Sequence, residues 1–158
     1  MPGTRNSAIR HPAVARRWLK DQVAEGAALV LTRVALAGVF WRSGRAKIEE
    51  GSWLTISDTT FYQFAEPPFS NVPVLPPEIA AYAATLAEHL FPVLLVLGLM
   101  TRLSAFALLA MTLVIQFFVF PEAWWQVHLL WTAMAAILIA RGAGMFSMDA
   151  TTARYFRC

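Results

Sequence analysis

Residues 79–140 read IAAYAATLAEHLFPVLLVLGLMTRLSAFALLAMTLVIQFFVFPEAWWQVHLLWTAMAAILIA and hold three charged side chains, Glu88, Arg102 and Glu122. A water-soluble fold draws about 25% of its residues from the charged types, and this stretch falls far short of that. Arg102 and Pro121-Glu122 cut it into three apolar runs, expected as helices over about 79–100, 103–120 and 124–140. Each comes close to the ~20 residues that cross a ~30 Å hydrocarbon core. Backbone inside lipid must satisfy its own hydrogen bonds, which makes helix the expected state. The competing reading is a set of buried helices in a soluble bundle. Such helices need a polar face, and the run from Leu103 to Phe120 has almost none.

A fourth run lies upstream, from about Gly26 to Gly44. The whole chain of 158 residues is 58% hydrophobic and 15% charged, with a mean hydropathy of +0.52, so the three downstream runs are not an apolar island in a polar protein. The fold class expected is all-α: an antiparallel bundle of four transmembrane helices with a long extracytoplasmic loop between the first and second. The short links at Thr101-Arg102 and Pro121-Glu122 make successive helices antiparallel neighbours. The domains expected are an N-terminal segment over 1–25, the helical domain over 26–141 and a tail over 142–158.

The charge is +3 and the pI about 9.5. The basic residues collect at the ends of apolar runs and are not interleaved with aromatics, so nucleic acid is not the expected partner. Arg5, Arg10, Arg16, Arg17, Lys20, Arg102, Arg141, Arg154 and Arg157 fall on one side of a four-crossing topology, against Arg42, Arg45 and Lys47 on the other. That bias places both termini in the cytoplasm. The location expected is the bacterial inner membrane. No cleavable leader stands out at the N-terminus, and the stretch HPAVARRWLKDQVAEG suits a short helix on the inner leaflet or a solvated tail. In the first link, Ser57-Asp58 is placed to cap a short helix over TTFYQFAE that Pro67-Pro68 ends. Trp41, Trp53, Trp124 and Trp125 mark outer boundaries, as aromatic belts do.

Ionisable groups inside a bilayer are costly and default to functional hypotheses. Arg33 and Glu88 both come out near the midplane when helix rise is counted from the expected span edges. At that depth they can pair, each lowering the other's desolvation cost, and the plain reading of such a pair is a structural ion pair that locks two helices. A second tier, Arg42, Ser43, Gln116, His89 and His128, is expected to surround an outer-half pocket above Glu88. A histidine and a carboxylate at such depth can exchange protons with a small redox ligand. The alternative is that Arg42 snorkels and His128 bonds a neighbouring helix. No metal or haem is expected: the histidines lie on different elements, and Cys158 is the sole cysteine.

Three stretches together resemble the DoxX family of small bacterial membrane proteins. They are RVALAGVFWRSGRAKI, AEHLFPVLLVLGLMTRLSAFALLAMTLVIQFFVFP and HLLWTAMAAILIARGAGMFSMD. The likeness covers roughly residues 26–150, and its marks fall on Arg33, Ser43, Gly44, Lys47, Glu88, Gly98, Arg102 and Asp149. Ala143 stands where the closing GPG-x-x-S-x-D element has proline. The resemblance implies a four-helix membrane fold and a link to membrane oxidoreductase systems.

Three functions follow as expectations. The first is a quinone-linked membrane subunit of an oxidoreductase. Glu88 and His128 are its catalytic pair, and Arg42, Ser43, Gln116 and His89 hold the quinone. The second is a non-catalytic membrane anchor or assembly partner, docking through the long link and the basic N-terminal segment. The third is a small proton- or cation-coupled transporter with Glu88 as the ion site. The partners expected are the lipid bilayer, a redox or assembly protein and a second copy of the chain.

Overall fold

A computed structural model describes residues 12–53, 55–73 and 75–155. Among them lie four helices long and apolar enough to cross a membrane: Arg16–Arg45, Pro77–Leu97, Thr101–Val119 and Pro121–Arg141. The only extended pairing among the described residues is one isolated bridge, Ile48 to Ile56.

The first helix, α1, is a single element of 34 residues, Pro12–Arg45. The basic stretch before Gly26 therefore does not form a separate helix. It runs on into the first span, because nothing between Pro12 and Arg45 breaks the helical backbone. Residues 1–11 lie outside the described set. A short helix α2, Asp58–Ala65, follows in the first link. Ser57 caps it by accepting from the Thr60 amide, as the sequence pattern predicts. The chain then turns at Pro67-Pro68.

The second span, α3, covers Pro77–Leu97 and starts with proline at its first position, where no amide partner is lost. It continues as α-helix through the buried Pro92. Gly98 ends it at φ +67, with its amide on the last α3 carbonyls and the Leu99 amide on Leu94. This left-handed cap suits glycine because no Cβ opposes it. The third span begins with α4, Thr101–Val114, and finishes as a π-helical turn over Ile115–Val119. A matching π turn, Trp124–His128, opens the fourth span before α5, Leu129–Arg141.

In the core, α1 packs on α3 and α5, and α4 packs on α3 and α5. Leu36, Phe40, Leu95, Ala105, Leu108, Ala135 and Leu138 fill the space between them. Gly44 of α1 lies against Glu88 and His89, and Arg33 of α1 lies against Gly98.

The stretch after α5 is not a trailing tail. Gly142 and Gly144 take positive φ, Ala143 is buried between them, and the turn forms without the proline. Ser147 then caps a last helix α6, Met148–Tyr155, by accepting from the Ala150 amide. Asp149 reaches the start of α4, where its two carboxylate oxygens accept from the Met100 and Thr101 amides at 2.8 and 3.0 Å. Met100 offers no side-chain cap of its own, so a residue 48 positions away completes the helix end.

Candidate functional site

Ser43 sits in the last turn of α1, and Lys47 lies just beyond the end of that helix. A Cβ on Gly44 would stand 2.8 Å from the His89 ring and 3.1 Å from the Glu88 Cβ. The missing side chain thus brings α1 against α3 at the height of Glu88. The Lys47 ammonium donates to Glu88 Oε2 at 2.7 Å, to Ser43 Oγ at 3.0 Å and to the Ser43 carbonyl at 3.4 Å. Its three donors are all engaged. Ser43 Oγ donates in turn to Glu88 Oε1 at 3.1 Å. The side chains of Lys47 and Glu88 are 13% and 3% exposed, so this is a closed, buried ion pair. A cation at the carboxyl end of α1 also complements the helix dipole.

The backbone of Lys47 is held from the other direction. Its carbonyl accepts from the Ser57 amide at 3.0 Å and from Thr60 Oγ1 at 2.9 Å. The start of α2 therefore fixes where Lys47 lies, and the ion pair fixes where its ammonium lies.

Glu88 is thus paired with Lys47 and not with Arg33, which corrects the ion pair expected from depth alone. Arg33 is 2% exposed and lies further back along α1, inside the helix, where it donates through Nη2 to the Phe146 carbonyl at 2.6 Å. Its Nη1 lies over Gly98, at the carboxyl end of α3. Arg33 and Asp149 serve the two helix ends that meet at the α3–α4 turn, the cation at the carboxyl end and the carboxylate at the amino end, as the dipoles favour.

The expected outer tier divides into separate groups. Gln116 Nε2 donates to the Pro121 carbonyl at 2.7 Å, which leaves Oε1 for His128 Nδ1, also at 2.7 Å. His128 is therefore the Nδ1–H tautomer, and it packs on Trp131, which packs on Phe40. Both Gln116 and His128 project from π turns, which cluster at functional sites in proteins generally. No hydrogen bond or ion pair among the described residues joins this pair to Ser43, Lys47 and Glu88. Arg42 is exposed and takes part in neither group.

His89 forms a third group. Its Nδ1 is 2.7 Å from the Thr85 carbonyl, so Nδ1 carries the proton and Nε2 is an acceptor. Nε2 is buried with no partner. The ring meets Trp41 edge-on with centroids 5.1 Å apart. Trp41 in turn lines an apolar groove of about 340 Å3 between α1 and α3, together with Val34, Gly38, Pro92 and Val96. Among the described residues, no three His, Cys, Asp or Glu side chains gather as a metal site.

The sequence profile of DoxX matches residues 28–121, more than half of the chain. The chain belongs to the DoxX family. It is also 29% identical to an uncharacterized protein of Haemophilus influenzae over 143 residues, 80% of this chain and 84% of that one. No solved structure matches it significantly.

The residues that carry the resemblance to DoxX, Arg102 apart, fall into two groups in space. Ser43, Gly44, Lys47 and Glu88 build the ion-pair site, whereas Arg33, Gly98 and Asp149 build the junction at the other end. Residue-by-residue reading missed Lys47 as the partner of Glu88 and missed the role of Asp149. The family marks carried both positions without saying what they touch. The Ser43–Lys47 spacing, one helical turn, was the local signal that these two share a face.

Proposed function

We propose that this DoxX protein is a multi-pass inner-membrane subunit of a quinone-linked oxidoreductase system, and that it holds a reduced quinone ring against Trp41 and His89. The observation that carries this reading is the buried, unpartnered Nε2 of His89 beside a tryptophan that lines an apolar groove. A buried acceptor without a donor is costly, and a phenolic O–H on a lipophilic ring supplies what it lacks. Thr85 keeps the imidazole in the acceptor tautomer, and the groove walls offer a ring apolar surface away from water. When bound, a quinol supplies two electrons and two protons on oxidation to the quinone. In this reading His89 Nε2 would accept one of those protons, and the second proton and both electrons would leave to a partner protein. Glu88, engaged by Lys47 and Ser43, acts in this reading as the fixed wall behind His89.

The expected result is saturable quinol binding by the purified protein in nanodiscs, weakened about five- to tenfold by His89→Ala, since one hydrogen bond is worth roughly 1–1.5 kcal/mol. Gln116→Ala, in a different group, should leave it unchanged. Equal affinity in wild type and His89→Ala would sink the reading. The closed ion pair also fits the second reading, a rigid assembly partner. Retained partner capture by a protein that binds no quinol would favour it.

For topology we infer an antiparallel bundle with both termini cytoplasmic. The packing of Arg33 on Gly98 and of Gly44 on His89 supports opposite directions for α1 and α3, and the placement of nine basic residues supports the orientation. Cys158, the sole cysteine of the sequence, makes a direct test possible. A membrane-impermeant maleimide should label it in inverted inner-membrane vesicles and not in intact spheroplasts. The reverse pattern would overturn the assignment.

A further inference from the structure

Among the described residues, the amino-terminal part of α1 is largely exposed, with Gln22 half-buried. Further along, Glu25 pairs with Arg141 and Gly26 abuts Met145 and Phe146. Before them, Arg16, Arg17, Trp18, Leu19, Lys20, Asp21, Val23 and Ala24 are exposed. Arg16, Arg17 and Lys20 make no hydrogen bond or ion pair with any described residue. The apolar helix Arg16–Arg45 is 30 residues long, a rise of about 45 Å that matches the ~40–45 Å of a bilayer measured across its headgroups, so its first turns stand at headgroup level.

At 100° per residue, Trp18, Leu19 and Val23 share one side, and Trp18 and Leu19 are 63% and 53% exposed. Arg16, Lys20 and Arg17 occupy the adjoining arc, with Arg16 only about 20° from Val23. An aromatic-aliphatic strip beside a cationic strip matches the headgroup layer of an anionic bilayer. Aromatic and aliphatic groups settle at the headgroup level, while phosphates meet the cations.

We propose that residues 16–24 of α1 are an anionic-lipid binding surface, with Arg16, Arg17 and Lys20 contacting lipid phosphates and Trp18 and Leu19 seated among the headgroups. This surface lies at the Arg141 end and is independent of the quinol reading at His89. Basic residues near an anionic leaflet contribute about 1 kcal/mol each, so three give a preference on the order of 100-fold for the seated state.

The test uses the full chain with Cys158→Ser and Leu19→Cys, labelled with an environment-sensitive fluorophore and placed in nanodiscs. In discs containing about one-third phosphatidylglycerol, emission should shift to the blue and resist aqueous iodide. Neutral phosphatidylcholine discs should not do this. The triple variant Arg16→Gln, Arg17→Gln, Lys20→Gln should lose the difference, and high salt should reduce it. Three outcomes overturn the proposal: identical emission in both lipids, a difference that survives the triple variant, or protection that appears only with two copies per disc, which assigns the face to a second chain.

Discussion

Replacing Lys47 with methionine should destabilise the protein by about 3–5 kcal/mol, the usual cost of removing one partner from a buried ion pair. The reason is what remains: Glu88, with a side chain 3% exposed, would keep only the Ser43 hydroxyl. Isolated buried charge is costly, whereas paired apolar replacement is often neutral or better. The double variant Lys47→Met, Glu88→Met should therefore recover most of the loss. Unfolding by denaturing detergent in mixed micelles reads both variants on one scale. A single variant within about 1 kcal/mol of wild type would mean that Glu88 has another source of compensation. Thr60→Val should fall between, because it removes one of the bonds holding the Lys47 carbonyl but leaves the ammonium paired.

Gly98→Ala should be the other severe substitution. Its Cβ would collide with Arg33 Nη1 and stand 2.6 Å from the Ser147 Cβ, at a backbone φ of +67. Left-handed backbone costs a non-glycine residue about 1 kcal/mol or more, and overpacking adds about 1–3 kcal/mol. The guanidinium of Arg33 is too buried to swing into water, so the closing turn at Ser147 must yield. The loss should come to about 2–4 kcal/mol, with faster protease cleavage within α6. Gly38→Ala is the control, because a Cβ there meets nothing within 4 Å and alanine favours helix by up to about 1 kcal/mol. A Gly98→Ala protein as stable and protease-resistant as Gly38→Ala would show that the junction does not hold the tail.

The spans were legible because hydropathy over some twenty residues leaves few alternatives in a bilayer. The short helix α2 was legible for a different reason: Ser57 and the prolines at 67 and 68 are local stop and start signals. The partner of Glu88 was not. Depth was counted from the apolar edges of each run, yet α1 extends well before its apolar edge, and its register on α3 is set by close contact at Gly44 and Gly98. About 16 Å of helix rise separates Arg33 from Gly44, so Arg33 and Glu88 sit at different levels. Gln116 and His128 do meet, but the convergence expected of that pair with Arg42 and Glu88 failed for a related reason. Helix periodicity assumes an unbroken α-helix, and the π turns at Ile115–Val119 and Trp124–His128 each carry an extra residue that turns later side chains by about 100° relative to that count. The cap from Asp149 joins residues 48 apart, a separation that no local pattern encodes.

The junction at Arg33, Gly98 and Asp149 also sets an order of events during synthesis. Arg33 and the start of α4 leave the ribosome well before Phe146 and Asp149. At about 5–20 residues per second, Thr101 waits roughly 2–10 s for the carboxylate that caps it. Until then the spans can insert but their shared turn stays open, with two amides and a guanidinium unanswered. A later-made stretch is thus the closing piece of earlier-made helices, and insertion and completion are separate moments in the life of this chain.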